Sequence, residues 1–246
     1  MENSLGFAHF LSQTDALGRI VLLLLLALSV ASWYLIVSKT LENYLAGRRA
    51  AAFLKQFWAA DSLQDVRAAL GQQPVDNAFA GLARDALEAI HHKHPDSMQN
   101  LAAAGGLGAF LTRLLRNGID QEAARVEKGL TVMASAGSTA PFIGLFGTVW
   151  GIYHALINIG LSGQGTLDKV SGPLGEALIM TAAGLAVAIP AVLAYNAFTR
   201  RNRVWLARLD AFAHDLYTVM TVGEKANSSA GEVNPQTPQQ RARAEG

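Results

Sequence analysis

Residues 172–196 read GPLGEALIMTAAGLAVAIPAVLAYN, and the fold turns on how this stretch is understood. It lies in a segment between Lys169 and Arg200 that is interrupted by a single charged residue, Glu176. A bilayer helix needs about 20 predominantly apolar residues, so the segment is long enough to cross. An ionised carboxylate facing lipid costs several kcal/mol on typical insertion scales, so Glu176 is expected to face protein or a water-filled path rather than hydrocarbon. Thr181 stands five residues deeper along the same helix.

Two more spans appear on moving outward. Gly129 to Leu167 contains no Lys, Arg, Asp or Glu, and Ile20 to Val37 is another charge-free run of eighteen residues. The second and third spans are separated by a short Gly- and Ser-bearing turn, Gly160 to Gly165, so they are expected to form a helical hairpin. The first run is not read as a cleaved signal peptide, although Ser29-Val30-Ala31 faintly resembles a cleavage site. Such a peptide carries its positive charge in front of the apolar core, whereas here Arg19 stands alone in front and Lys39, Arg48, Arg49 and Lys55 follow.

Composition agrees with a membrane location. Of the 246 residues 51% are apolar and 16% charged, which is greasier than an ordinary soluble domain. A net charge of +1 offers no clustered field for nucleic acid, and the absence of cysteine excludes thiolate chemistry and cysteine metal sites. The basic residues are distributed very unevenly. Residues 1–18 hold none and the connection between spans two and three holds only Lys169, against eleven from Lys39 to Lys128 and seven after Phe198. The positive-inside rule then places the N-terminus in the periplasm and the C-terminus in the cytoplasm of a multi-pass inner-membrane protein.

The expected fold class is an all-α membrane protein, three transmembrane helices with long helical cytoplasmic extensions. Residues 1–19 form the periplasmic N-terminus, 20–38 the first span and 39–130 a cytoplasmic helical domain. The second span is 131–157, a periplasmic loop 158–173 and the third span 174–198. A cytoplasmic helical extension, 199–225, and a disordered tail, 226–246, complete the chain. In the cytoplasmic domain Leu63, Val66 and Leu70, then Leu82, Ala86, Leu87 and Ile90, recur at helical spacing, with breaks expected at Pro74 and Pro95. The tail is rich in Ser, Pro, Gln and charge, the composition of a segment that buries too little to order.

Span two carries SAGSTAPFIGLFGTVWGIYHA at 135–155. Ala140, Gly144, Thr148 and Gly151 fall at spacings of four, four and three, so they share one helix face, and Gly147 with Gly151 makes a small-xxx-small pair. Such a stripe calls for a closely packed partner, which one hairpin need not supply, so bulky substitutions are expected to disturb an oligomer. Pro141 and Pro190 are grouped with these helix-packing residues, and Pro141 is expected to bend its helix. His154 near the outer end is expected to touch water. With midplanes near Ile143 and Gly184, antiparallel packing would place Glu176, Thr148 and Thr181 as a short polar ladder on the outer side of centre. Glu176 and Thr181 lie about 140° apart around an ideal helix, so one of them would meet another subunit or partner.

His91, His92 and His94 read as a solvated turn rather than a metal site, since no acidic or Cys partner stands at ligand spacing. Gly105 and Gly106 lack the following Lys-Ser/Thr of a phosphate loop, so no metal or cofactor is expected. A membrane protein of this kind that uses energy would draw on an ion gradient.

The stretches APFIGLFGTVWGI (140–152) and GEALIMTAAGLAVAIPAVLAYN (175–196) resemble the ExbB/TolQ branch of the family that also contains the flagellar stator protein MotA, and the topology is similar over most of the chain. The resemblance implies a proton-conducting stator subunit rather than an enzyme. It also implies an oligomer, expected to be a pentamer, whose second and third helices surround the helices of a small ExbD-like membrane protein. That motor would use proton-motive force to energise a TonB-like transducer and, through it, outer-membrane uptake of iron chelates and vitamin B12. Within this motif Thr148, Glu176 and Thr181 occupy the polar positions linked to proton movement. The stretch GIYHALINIG (151–160) looks more like ExbB than TolQ. A TolQ-type subunit, or a membrane scaffold in which Glu176 is only a docking contact, are the competing expectations. A flagellar stator is disfavoured by the small cytoplasmic segment with mixed charges.

Overall fold

A computed structural model describes residues 15–60, 63–72, 76–91, 106–162 and 167–231. Within its helices the side chains of 63, 64, 69, 72, 90, 91, 162, 167–171, 173, 176 and 222–231 lie outside what is described. The regular structure of the described residues is entirely helical: α1 (Ala16–Trp58), α2 (Leu63–Gln72), α3 (Ala78–His91), α4 (Leu107–Glu127), α5 (Leu130–Ser162) and α6 (Leu167–Gly231). Three of these segments are long and apolar enough to cross a membrane, so the chain is an all-α protein with three transmembrane helices.

The helices are longer than a bilayer requires. α1 has 43 residues and α6 has 65, which at ~1.5 Å per residue exceed the ~30 Å apolar core about twofold and threefold. Asp15 starts α1 as its N-cap, with Oδ1 accepting the Gly18 N–H at 2.8 Å. Gly129 separates α4 from α5 in a left-handed conformation, φ 86°, which an L side chain rarely adopts. A Cβ there would also stand 2.9 Å from Leu35 Cδ2. α5 continues through Pro141 and α6 through Pro190.

The connection expected as a loop over 158–173 is helical at 158–162 and again at 167–173, so the spans extend as helix further than apolar content alone suggests. Likewise α6 runs to Gly231, past the expected start of the tail at 226. The expected break at Pro74 falls between α2 and α3. Pro74, Pro95, His92 and His94 lie outside the described residues, as does the side chain of His91.

The chain divides into two compact units, residues 1–45 with 124–203, and 46–123 with 204–246. The second unit has a conventional core. Val66 and Leu70 of α2 and Leu82, Ala86 and Leu87 of α3 are buried in it, as their helical spacing implies, together with Leu111, Leu115, Leu209 and Leu216. Phe79 meets Trp205 and Phe212 edge-on, with ring centroids 5.2 and 5.4 Å apart. The buried Glu122 accepts the Trp205 indole N–H at 2.9 Å.

In the first unit Val21 and Leu25 of α1 pack with Ala140 of α5 and Met180, Val187 and Ala188 of α6. A second cluster joins Leu130, Met133 and Phe198 to Leu35 and Ile36. The larger apolar side chains, among them Leu23, Trp33, Phe142, Phe146, Leu178 and Leu193, point outward and are half or more exposed. A surface this apolar suits hydrocarbon and would be unstable in water.

Candidate functional site: the hairpin crossing and its threonine bridge

α5 and α6 approach most closely where Gly144 meets Gly184. A Cβ on Gly144 would stand 2.6 Å from the Met180 carbonyl oxygen and 3.1 Å from Gly184 Cα. One on Gly184 would stand 2.6 Å from the Ala140 carbonyl oxygen. These neighbours are backbone and cannot swing away, so glycine is the residue that fits at both positions. Gly151 faces Ala177 with 3.1 Å of clearance to its Cβ, and Gly147 faces Met180 and Val21.

Within the chain the small-residue stripe is covered by α6, so the hairpin itself supplies a close partner. α6 carries its own small residues, Ala177, Thr181, Gly184 and Ala188, opposite the stripe, and two matched small faces let the backbones touch. The antiparallel register estimated from span midplanes, Ile143 level with Gly184, agrees with the Gly144–Gly184 contact.

One turn along from this crossing the two threonines meet. Thr148 is buried, and its Oγ1 lies 2.6 Å from Thr181 Oγ1, 2.8 Å from the Ala177 carbonyl oxygen and 3.2 Å from the Gly144 carbonyl oxygen. A hydroxyl has one proton, which fixes the possible polarities. When Thr148 donates to the Ala177 carbonyl, Thr181 is the donor across the bridge and keeps lone pairs to accept from elsewhere. When Thr148 donates to Thr181 instead, the Thr181 proton is free to point onward. A hydroxyl pair with these two polarities is an element through which a proton can be relayed.

Ala177 directly follows Glu176, so Thr148 holds the backbone at the turn that carries the carboxylate. Glu176 itself lies within α6, and its side chain is outside the described residues. Of the expected ladder, Thr148 and Thr181 are brought together.

Near the same end of α5 is a cluster that sequence reasoning missed. The Trp150 indole N–H donates to Asp15 Oδ2 at 2.6 Å, and His154 Nε2 lies 4.0 Å from the same oxygen. The Trp150 and His154 rings are tilted by 38° with centroids 4.6 Å apart. Burial tends to raise the Asp15 pKa, but the bonds from Trp150 and Gly18, with positive charge at His154 and Arg19, outweigh it and hold the carboxyl below the ordinary aspartate value. An Asp in front of an apolar helical run is a legible N-cap signal, whereas its reach to Trp150 is not. Among the described residues no group of three His, Asp or Glu stands together as a metal site.

Residues 76–211 match the MotA/TolQ/ExbB proton channel family, a span that includes the glycine crossing and the threonine bridge. The chain belongs to that family. It is 39% identical over 236 residues to the Biopolymer transport protein ExbB of Xanthomonas campestris pv. campestris (strain B100), covering 91% of each chain. It is 46% identical over 197 residues to the protein of that name from Neisseria meningitidis serogroup A, covering 80% of this chain and 89% of the relative. It is also 32% identical over 213 residues to the Tol-Pal system protein TolQ of Pseudomonas aeruginosa, covering 85% and 90%. MotA/TolQ/ExbB membership and three membrane-crossing helices fit a transport subunit of the inner membrane. The family is one of proton channels and not a class of enzymes.

Proposed function

We propose that the chain is the proton-conducting stator subunit of an ExbB–ExbD-type motor, which uses proton-motive force to energise a TonB-like transducer and so drive outer-membrane uptake of substrates such as iron chelates. The observation that carries this reading is the Thr148–Thr181 bridge, bonded to the Ala177 carbonyl at the turn that bears Glu176. A carboxylate that alternates between charged and neutral forms, carried by the residue next to the Ala177 carbonyl on which a hydroxyl pair of reversible polarity is bonded, has the chemistry to take up and release a proton. One charge moving through the membrane field releases roughly 2.3 kcal/mol per 100 mV.

In this reading Glu176 is the proton carrier, and Thr148 and Thr181 relay the proton and hold the turn. The N-terminus faces the periplasm, as the uneven Lys and Arg distribution implies. Several copies, five by resemblance, surround the helices of a small ExbD-like protein. The greater identity to the relatives named ExbB than to the one named TolQ favours a TonB-linked role over a Tol-Pal role.

The test is uptake of an iron chelate in cells that carry each variant at matched expression. Glu176→Gln keeps the side-chain shape and removes its titration, so it is expected to insert and bind partners but abolish uptake. Glu176→Asp should retain part of it, and Thr148→Val or Thr181→Val should weaken it less. Wild-type uptake by Glu176→Gln would remove the carrier role and leave the scaffold reading.

A further inference from the structure

Where the apolar parts of the three long helices end, beyond Val37 in α1, before Leu130 in α5 and after Phe198 in α6, the first unit carries a layer of hydrogen-bond donors. Lys39 Nζ donates to the Arg125 and Val126 carbonyl oxygens at the end of α4, at 3.4 and 3.5 Å. Asn202 Nδ2 donates to the same Val126 oxygen at 2.9 Å. Arg201 Nη2 lies 2.5 Å from the backbone oxygen of Asn43, which draws the guanidinium of α6 onto α1. Beside this contact the Asn43 Nδ2 is buried with no partner, and the Thr199 Oγ1, two residues before Arg201, is in the same state. Arg200, Arg203 and Lys128 are exposed in the same layer, against the acidic residues Glu42 and Glu127.

Glu42 Oε2 answers Lys39 at 3.7 Å, whereas Arg200, Arg201 and Arg203 present exposed guanidinium groups, so a complementary ligand is an anion with several oxygens. A row of exposed apolar side chains runs along α1 up to the layer, Tyr34 at 71%, Val37 at 63% and Leu41 at 58% exposure. A ligand that meets both features is an amphiphile whose charged head sits on the donors and whose tail lies along that row.

We propose that the exposed guanidinium groups of Arg200 and Arg201, the latter drawn to the Asn43 backbone of α1, form a binding site for the phosphodiester of an anionic phospholipid, whose acyl chain lies on Tyr34, Val37 and Leu41. A zwitterionic lipid offers the same phosphate, but its cationic amine is repelled by the surrounding guanidinium groups. Each basic residue near a charged lipid surface contributes ~1 kcal/mol, a factor of roughly five in occupancy. The site is separate from the threonine bridge and does not depend on the proton-carrier reading.

Native mass spectrometry of the full chain, purified in detergent and offered equal amounts of phosphatidylglycerol and phosphatidylcholine, tests the site. Preferential retention of phosphatidylglycerol is expected. That preference should fall roughly fivefold in Arg201→Gln and further in Arg200→Gln/Arg201→Gln, while Arg113→Gln, an exposed control on α4, leaves it unchanged. Equal retention of the two lipids by the wild-type chain would overturn the proposal and needs no variant to fold. So would an unchanged preference in the double variant, an equal loss in Arg113→Gln, or displacement of the lipid by millimolar inorganic phosphate, which would identify a simple anion site.

Discussion

In the unit of residues 46–123 and 204–246 the most deeply buried side chains include the large Phe79, Leu111, Leu209, Leu216 and Met220 beside Ala83 and Ala86, whereas in the unit of residues 1–45 and 124–203 they are mainly the small Ala136, Ala140, Ala191 and Ser32, with Met133. The first set is what water drives inward, since removing large apolar surface from water is the main favourable term in folding. The second reflects a solvent that is itself apolar. Hydrocarbon gives leucine no reason to leave the surface, so helices associate through close backbone packing and through hydrogen bonds that lipid cannot offer. Phe142 and Phe146 accordingly face outward while Gly144 and Thr148 occupy the α5–α6 contact. Because polar groups are welcome only at that contact, the same packing that holds the hairpin together also brings its two threonines within hydrogen-bond distance.

This contrast is open to direct attack. Phe79→Ala empties a packed aromatic site, and a loss of about 3–5 kcal/mol is expected. Phe142→Ala removes the same group from a surface turned toward lipid, and its effect should stay within about 0.5 kcal/mol. Thermal unfolding of both variants in one detergent compares them, and equal losses would mean that Phe142 is packed against protein.

Adding atoms should reverse the ranking. Gly144→Ala places a methyl group against the Met180 carbonyl and is expected to cost about 1–3 kcal/mol by overpacking. Gly160→Ala, which meets nothing within 4 Å, should be neutral or slightly stabilising. A Gly144→Ala protein as stable as wild type would show that the two backbones do not touch.

The smallest expected effect is at Asp15. Its pKa is lower in the folded protein than in the unfolded chain, so the stabilisation it provides is present above the ordinary aspartate value, near 3.8, and is lost as pH falls through the lowered one. Asp15→Asn should therefore slightly lower thermal stability at neutral pH and flatten the decline in strong acid. An unchanged acid limb would mean that the carboxylate is not bonded to Trp150.

The parts of this architecture that were legible beforehand are those with a short-range signal. Charge-free runs located the spans, spacings of three and four put Ala140, Gly144, Thr148 and Gly151 on one face, and Val66 with Leu70 marked a buried side of α2. Depth along two antiparallel helices set Glu176, Thr148 and Thr181 on one short ladder but did not single out the Thr148–Thr181 contact. Helix ends were less legible, because a helix that has left the apolar layer no longer needs apolar residues to continue, as α5 does to Ser162 and α6 to Gly231. The partner of the glycine stripe stayed open, because spacing shows that a face is small and not which surface covers it. The Asp15–Trp150 bond joins residues 135 positions apart, beyond the reach of periodicity.

The central claim is that the carboxylate at the turn held by Thr148 moves protons. It is tested most directly by proton flux into liposomes containing the chain together with the small membrane protein that co-purifies with it, under an imposed potential and at matched incorporation. The account predicts measurable flux for the wild-type complex, partial flux for Glu176→Asp and background flux for Glu176→Gln with the complex still assembled. Flux through Glu176→Gln equal to that of the wild type would contradict it.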